Sequence, residues 1–255
     1  SRTDQEEFMG VAQAGIAFRP AIEIADLKRF VSDLLGDRYE EIPHPNVREF
    51  DIRHAGDVMV QDFGGAVFIC SDALAWRHLE DQSSDLGSLH QRLGSPAAFM
   101  IFCNYGSGGS YGYALVENGL RRRSRLQTTG VARLPPLLEH GQPTSIEQRW
   151  LSAKWYLEED DCPPEERQRV FYLENPRVEV AEYFLTQQML GEILKDQYGV
   201  CPWDTTTEPI YHFFRVSSNI PDAETEPTSE KLPRSEAAES SSKQRRPWWQ
   251  FFRRR

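Results

Sequence analysis

Residues 97–127 read Ala97-Ala-Phe-Met-Ile-Phe-Cys-Asn-Tyr105, Gly106-Ser-Gly-Gly109, Ser110-Tyr-Gly-Tyr-Ala-Leu-Val-Glu117, Asn118-Gly119, Leu120-Arg-Arg-Arg-Ser-Arg-Leu-Gln127. Three consecutive strands are expected here. In the first, Phe99, Ile101, Cys103 and Tyr105 alternate with Ala98, Met100 and Phe102, so both faces are apolar and the strand is central in its sheet. Asn118-Gly119 is the strongest short hairpin signal in the chain, because a type I′ turn needs positive φ at both central residues. An unbroken ladder from that turn sets Glu117 opposite Leu120, Leu115 opposite Arg122 and Tyr113 opposite Ser124. One face then carries Tyr111, Tyr113, Leu115, Leu120 and Leu126. The other carries Arg121, Arg123 and Arg125 over Val116, Ala114 and Gly112.

Working outward, Val11 to Phe18 reads as a strand. Ile24, Leu27, Phe30, Val31, Leu34 and Leu35 recur at helical spacing, and Gly36 stands where a helix stops. Val47–Arg53, Asp57–Phe63 and Ala66–Cys70 read as short strands. Two short helices follow, one with Leu74, Trp76 and Leu79, the other with Leu86, Leu89 and Leu93. Past Gln127, a loop rich in Pro and Gly runs to Pro143. A helix with Ile146, Trp150, Ala153 and Leu157 is expected next, then a strand at Val170–Leu173. Thr186 reads as the cap of a helix carrying Met189, Leu190, Ile193 and Leu194, and Ile210–Val216 as a last strand. The class is therefore α+β: a mostly antiparallel sheet with helices packed on one face, followed by a disordered C-terminal tail. The first strand–helix unit could add one parallel neighbour. The expected domains are a globular body over 9–216, a polar linker over 217–242 and a basic-aromatic tail over 243–255.

Charge sharpens this division. The chain of 255 residues carries a net charge of −10. Six acids and two bases between Pro221 and Ser242 give −4, and six bases without an acid between Lys243 and Arg255 give +6, leaving −12 on residues 1–220. An acidic body argues against general nucleic-acid binding. Ser1 to Phe8 is acidic, the opposite of a secretory signal, and Met9 would make a natural start. No run of about 18 apolar residues is present, so no spanning helix is expected. Of the four cysteines, Cys70 and Cys103 lie in apolar strands, and Cys162 and Cys201 each precede a proline. The default compartment is a reducing cytoplasm, with Cys162–Cys201 pairing the less favoured option.

Four readings of function follow. Gly108-Gly109-Ser110-Tyr111-Gly112 fits G-x-S-x-G, with Asp196 and His212 in the chain order of an α/β-hydrolase triad. A helix must follow that serine, and here a hairpin turn does. Gly106-Ser107-Gly108-Gly109 would cradle phosphate with its amides, but lacks the Lys-Ser or Lys-Thr and the helix of a phosphate loop. Arg121, Arg123 and Arg125 form an anion-binding row, for which a solvated strand face is the plainer account. Arg245, Arg246, Trp248, Trp249, Phe251, Phe252, Arg253, Arg254 and Arg255 combine interfacial aromatics with cations that attract anionic lipid. The six histidines show no metal-ligand spacing, and no metal or cofactor is expected. The balance favours a cytosolic, non-enzymatic binding or adaptor module. Its aromatic-basic tail would meet an anionic membrane surface, at the inner membrane face, or a protein partner.

Overall fold

The structure is a computed structural model that describes residues 12–46, 49–158, 163 and 167–217. The elements run β1 (Gln13–Phe18), α1 (Leu27–Leu35), β2 (Tyr39–Ile42), β3 (Asp57–Asp62), β4 (Val67–Cys70), α2 (Asp72–Glu80), α3 (Gly87–Arg92), β5 (Ala98–Tyr105), β6 (Ser110–Glu117), β7 (Leu120–Gln127), β8 (Leu137–His140), α4 (Ser145–Leu151), β9 (Lys154–Leu157), β10 (Arg169–Glu174), β11 (Arg177–Ala181), α5 (Leu185–Tyr198) and β12 (Ile210–Val216). A nine-stranded sheet has the order β2-β12-β3-β4-β1-β5-β6-β7-β8, and a three-stranded sheet has the order β11-β10-β9.

The α+β class with a large antiparallel sheet is as expected, and the opening stretch forms three consecutive, adjacent strands within it, β5-β6-β7. Every ladder is antiparallel, so the parallel neighbour considered for β1 is absent: β1 lies between β4 and β5 and runs against both. The expectation that the helices share one face is corrected. Directly paired residues point to the same side, so Phe99, Phe18 and Val67 share one face, and Phe102, Gly15 and Cys70 share the other. On the first face Phe18 stacks on Phe30 of α1, His90 of α3 stacks on Phe99, and Tyr105 meets Asp72 of α2. On the second face Tyr198 of α5 packs on Phe68, and Glu147 of α4 meets Arg123. A sheet whose central strands are apolar on both sides needs covering twice.

Other corrections are local. Residues 49–53 make turns rather than a strand: the Asp51 carboxylate accepts from the Arg53 amide at 2.9 Å, and Asp57 accepts from the Asp51 amide at 3.2 Å. These side chains offer the backbone an alternative to a ladder. The helix expected to reach Leu157 ends at Leu151, and Lys154–Leu157 pairs with β10 instead. Thr186 lies inside α5 and is buried, not at its cap. Strands β2, β8 and β11 were not anticipated. Val11, Val47, Arg48, Cys162 and the linker and tail beyond Ser217 lie outside the described residues.

Candidate functional site

The type I′ turn forms as read, with φ of 50° at Asn118 and 77° at Gly119. Glu117 faces Leu120 and Val116 faces Arg121, but the ladder then slips at Leu115/Val116. Beyond the slip Leu115 faces Arg123, Tyr113 faces Arg125 and Gly112 faces Leu126. This β-bulge sends the row of arginines to two faces, because one extra residue reverses every later side chain. Arg121 stays on the α2 and α3 side, whereas Arg123 and Arg125 turn under α4 and α5. Leu126 moves the opposite way, away from Tyr111, Tyr113 and Leu115. Without the bulge, three guanidiniums would have entered the layer that holds Phe99 and Val116.

Arg123 and Arg125 are buried, at 3% and 6% exposure, and all three guanidinium nitrogens of Arg123 and two of Arg125 donate hydrogen bonds. Arg123 donates from Nε to Glu147 Oε1 at 2.8 Å, from Nη1 to the Gly141 carbonyl at 3.0 Å, and from Nη2 to Glu139. Arg125 donates from Nε to Thr186 Oγ1 at 3.0 Å and from Nη1 to Glu139 Oε1 at 2.7 Å. Glu147 is fully buried and also forms the capping box of α4, accepting from the Thr144 amide at 2.7 Å. Burial would raise the Glu139 carboxyl, and the two guanidiniums outweigh it and hold the group below the ordinary carboxylate range. Burial and the neighbouring Glu147 charge push the Tyr113 phenol far up.

Arg121 closes the end of α2. Its Nη2 donates to the His78 carbonyl at 2.8 Å and to Ser84 Oγ at 3.1 Å. Arg77 donates from Nε to His78 Nε2 at 3.1 Å, and His78 Nδ1 lies 3.1 Å from Ser84 Oγ. The imidazole is therefore held neutral, with its proton on Nδ1. Burial, then Arg77 and Arg121, lower it from 6.5 to about 4.

The hydrolase constellation is not assembled. Ser110 opens β6 and is buried; Asp196 is exposed on α5; His212 lies on β12, with Nδ1 2.8 Å from Glu41 Oε1. β6 and β12 stand five steps apart in the sheet, roughly 24 Å at about 4.8 Å per step. The glycine loop forms a short 3₁₀ turn and leads into a strand, as its flanking residues imply. Tyr183 packs across it so closely that a Cβ on Gly109 would lie 1.7 Å from the Tyr183 oxygen.

Two further surface features bear on function. The first is β9, all four of whose residues are exposed, with Trp155 at 50%, Tyr156 at 43% and Leu157 at 42%. The Arg169 guanidinium lies 5.5 Å from the Trp155 ring centre and 5.3 Å from that of Phe171. The second is a groove of about 300 Å³ along α5, bordered by Gln187, Gly191, Lys195, Cys201, Trp203 and Asp204. Its Cys201 thiol is buried and pushed up to about 12, which removes thiolate chemistry near neutral pH. Among the described residues, no group of three or more His, Cys, Asp or Glu could hold a metal ion. No helix among them is long and apolar enough to cross a membrane.

Sequence reasoning missed Glu139, Glu147 and Thr186 as partners of the arginines. Only Thr144-x-x-Glu147 carried a local signal, as a capping box. Comparison of the chain with protein-family models, curated proteins and solved structures finds no match.

Proposed function

We propose that the protein is a non-enzymatic binding or adaptor module that attaches to an anionic surface, of a membrane or of a protein partner, through residues 243–255. The observation that carries this reading is the distribution of cationic chemistry. Arg123 and Arg125 have carboxylate partners of their own within the body, and Arg121 donates from Nη2 to the end of α2, its Nε and Nη1 being buried without a hydrogen-bond partner. The chain's other concentration of arginine is the tail, where six bases flank Trp248, Trp249, Phe251 and Phe252, against −12 on residues 1–220 and −4 on residues 221–242. Aromatic rings favour the headgroup layer, and each cation near an anionic membrane adds about 1 kcal/mol.

The test is co-sedimentation of the full-length chain with vesicles of neutral and of anionic lipid. Binding only to the anionic vesicles is expected, weakening with salt. It should fall when Trp248, Trp249, Phe251 and Phe252 are changed to Ala, and again when Arg253, Arg254 and Arg255 are changed to Glu. Equal pelleting of all variants removes the membrane form of the reading.

A further inference from the structure

The two sheets have four edges, and three of them are protected. β2 carries Glu40 and Glu41, engaged by Lys28 and His212. β8 follows Pro135-Pro136, and β11 follows Pro176 and carries the Arg177–Glu179 ion pair. Charge and proline are the usual means of keeping an edge from pairing. β9 differs. Lys154-Trp155-Tyr156-Leu157-Glu158 has three large apolar or aromatic residues in succession and no proline, and among the described residues no strand pairs with its outer edge.

The backbone orientation of this edge follows from one bond. Glu158 N donates to Gln168 O at 2.9 Å, and the register continues as Leu157 with Arg169, Tyr156 with Val170 and Trp155 with Phe171. Antiparallel pairs alternate between bonded and non-bonded. Glu158, Tyr156 and Lys154 therefore address β10, and Trp155 and Leu157 direct their N–H and C=O groups outward.

We propose that β9 pairs antiparallel with β9 of a second copy of this chain, about a two-fold axis at Tyr156. In that register Trp155 and Leu157 of each copy exchange backbone hydrogen bonds, four in all. Lys154 of each copy stands opposite Glu158 of the other, in a non-bonded pair where side chains come closest. Trp155 lies against Leu157, and Tyr156 meets its own equivalent. The segment is thus self-complementary in hydrogen bonding, charge and apolar content, as an isologous interface must be. The existing Lys154–Glu174 pair, exposed by 70% and 66%, offers little competition. Two three-stranded sheets become one of six strands, and each dimer carries two tails.

Analytical ultracentrifugation of the full-length chain over a concentration series tests this. The wild-type mass should rise from 29.4 kDa toward twice that value with concentration. Lys154→Glu and Glu158→Lys should each stay monomeric, since each sets like charges opposite one another twice. Mixing these two variants should restore the dimer, because every cross-pair is then opposite in charge, and the double variant K154E/E158K should dimerise alone. Restoration on mixing also establishes that both variants are folded. A wild-type chain that stays monomeric throughout, or a dimer indifferent to these reversals, overturns the proposal.

Discussion

Arg123 and Glu147 form a buried ion pair in which the carboxylate serves two elements at once. Oε1 accepts from Arg123 Nε at 2.8 Å, and Oε2 accepts from the Thr144 amide at 2.7 Å. The pair therefore joins the bulged strand β7 to the first turn of α4. Removing one partner leaves a charge buried without its counterpart, whereas replacing both by apolar residues removes the desolvation cost as well.

Glu147→Ala is expected to cost about 3–5 kcal/mol in urea unfolding, from the stranded Arg123 and the lost cap. The double change Arg123→Met, Glu147→Leu should cost clearly less than the sum of the single changes. Additive costs would show that the two side chains act independently.

Gly141 and Gly36 separate backbone conformation from close approach. Both have positive φ, 75° and 84°. A Cβ on Gly141 would lie 2.0 Å from the Arg122 carbonyl oxygen at the bulge, whereas one on Gly36 would meet nothing within 4 Å. Gly36→Ala should cost about 1 kcal/mol, the left-handed penalty alone. Gly141→Ala should cost at least about 3 kcal/mol and alter amide exchange along β7 and β8. Similar losses at both sites would contradict this reading.

His78 makes stability depend on pH. Its folded-state value, about 4, lies below its ordinary 6.5. Between these values the unfolded chain binds a proton that the folded chain refuses, so stability rises with pH across this window. The contribution is complete above pH 6.5 and is lost as pH falls toward 4, by roughly 3 kcal/mol at most. Unfolding of the wild type and of His78→Gln at successive pH values should give a steeper slope for the wild type in that window. Parallel slopes would mean that other groups set the dependence.

Ser110 should stay unlabelled by a fluorophosphonate probe, because its hydroxyl is buried and His212 stands five strands away. Labelling that disappears in Ser110→Ala would reinstate hydrolase chemistry and displace the binding-module reading.

What the sequence determined by itself was local. Asn118-Gly119 specified its turn because positive φ at two residues is a property of those residues alone. Gly36, in left-handed conformation at the end of α1, was legible for the same reason, and the two-sided apolarity of Phe99 to Cys103 placed β5 inside its sheet. The arginines were misread because their destination depended on distant elements. An unbroken ladder was the simplest continuation of the turn, yet it would have set three charges in an apolar layer. Glu139 and Glu147 on the opposite face made a one-residue bulge the lower-energy solution, and no pattern within 120–127 announces them. β9 was lost to a helical reading because Trp150 and Leu157 share a helical spacing that holds only to Leu151. Its strand state exists because β10 supplies a ladder, and that partner begins at Arg169, beyond any periodicity a single segment can carry. Turn chemistry lives in the residues themselves, whereas the side of a sheet on which a charge is buried is decided by the counter-charges that the rest of the fold brings to it.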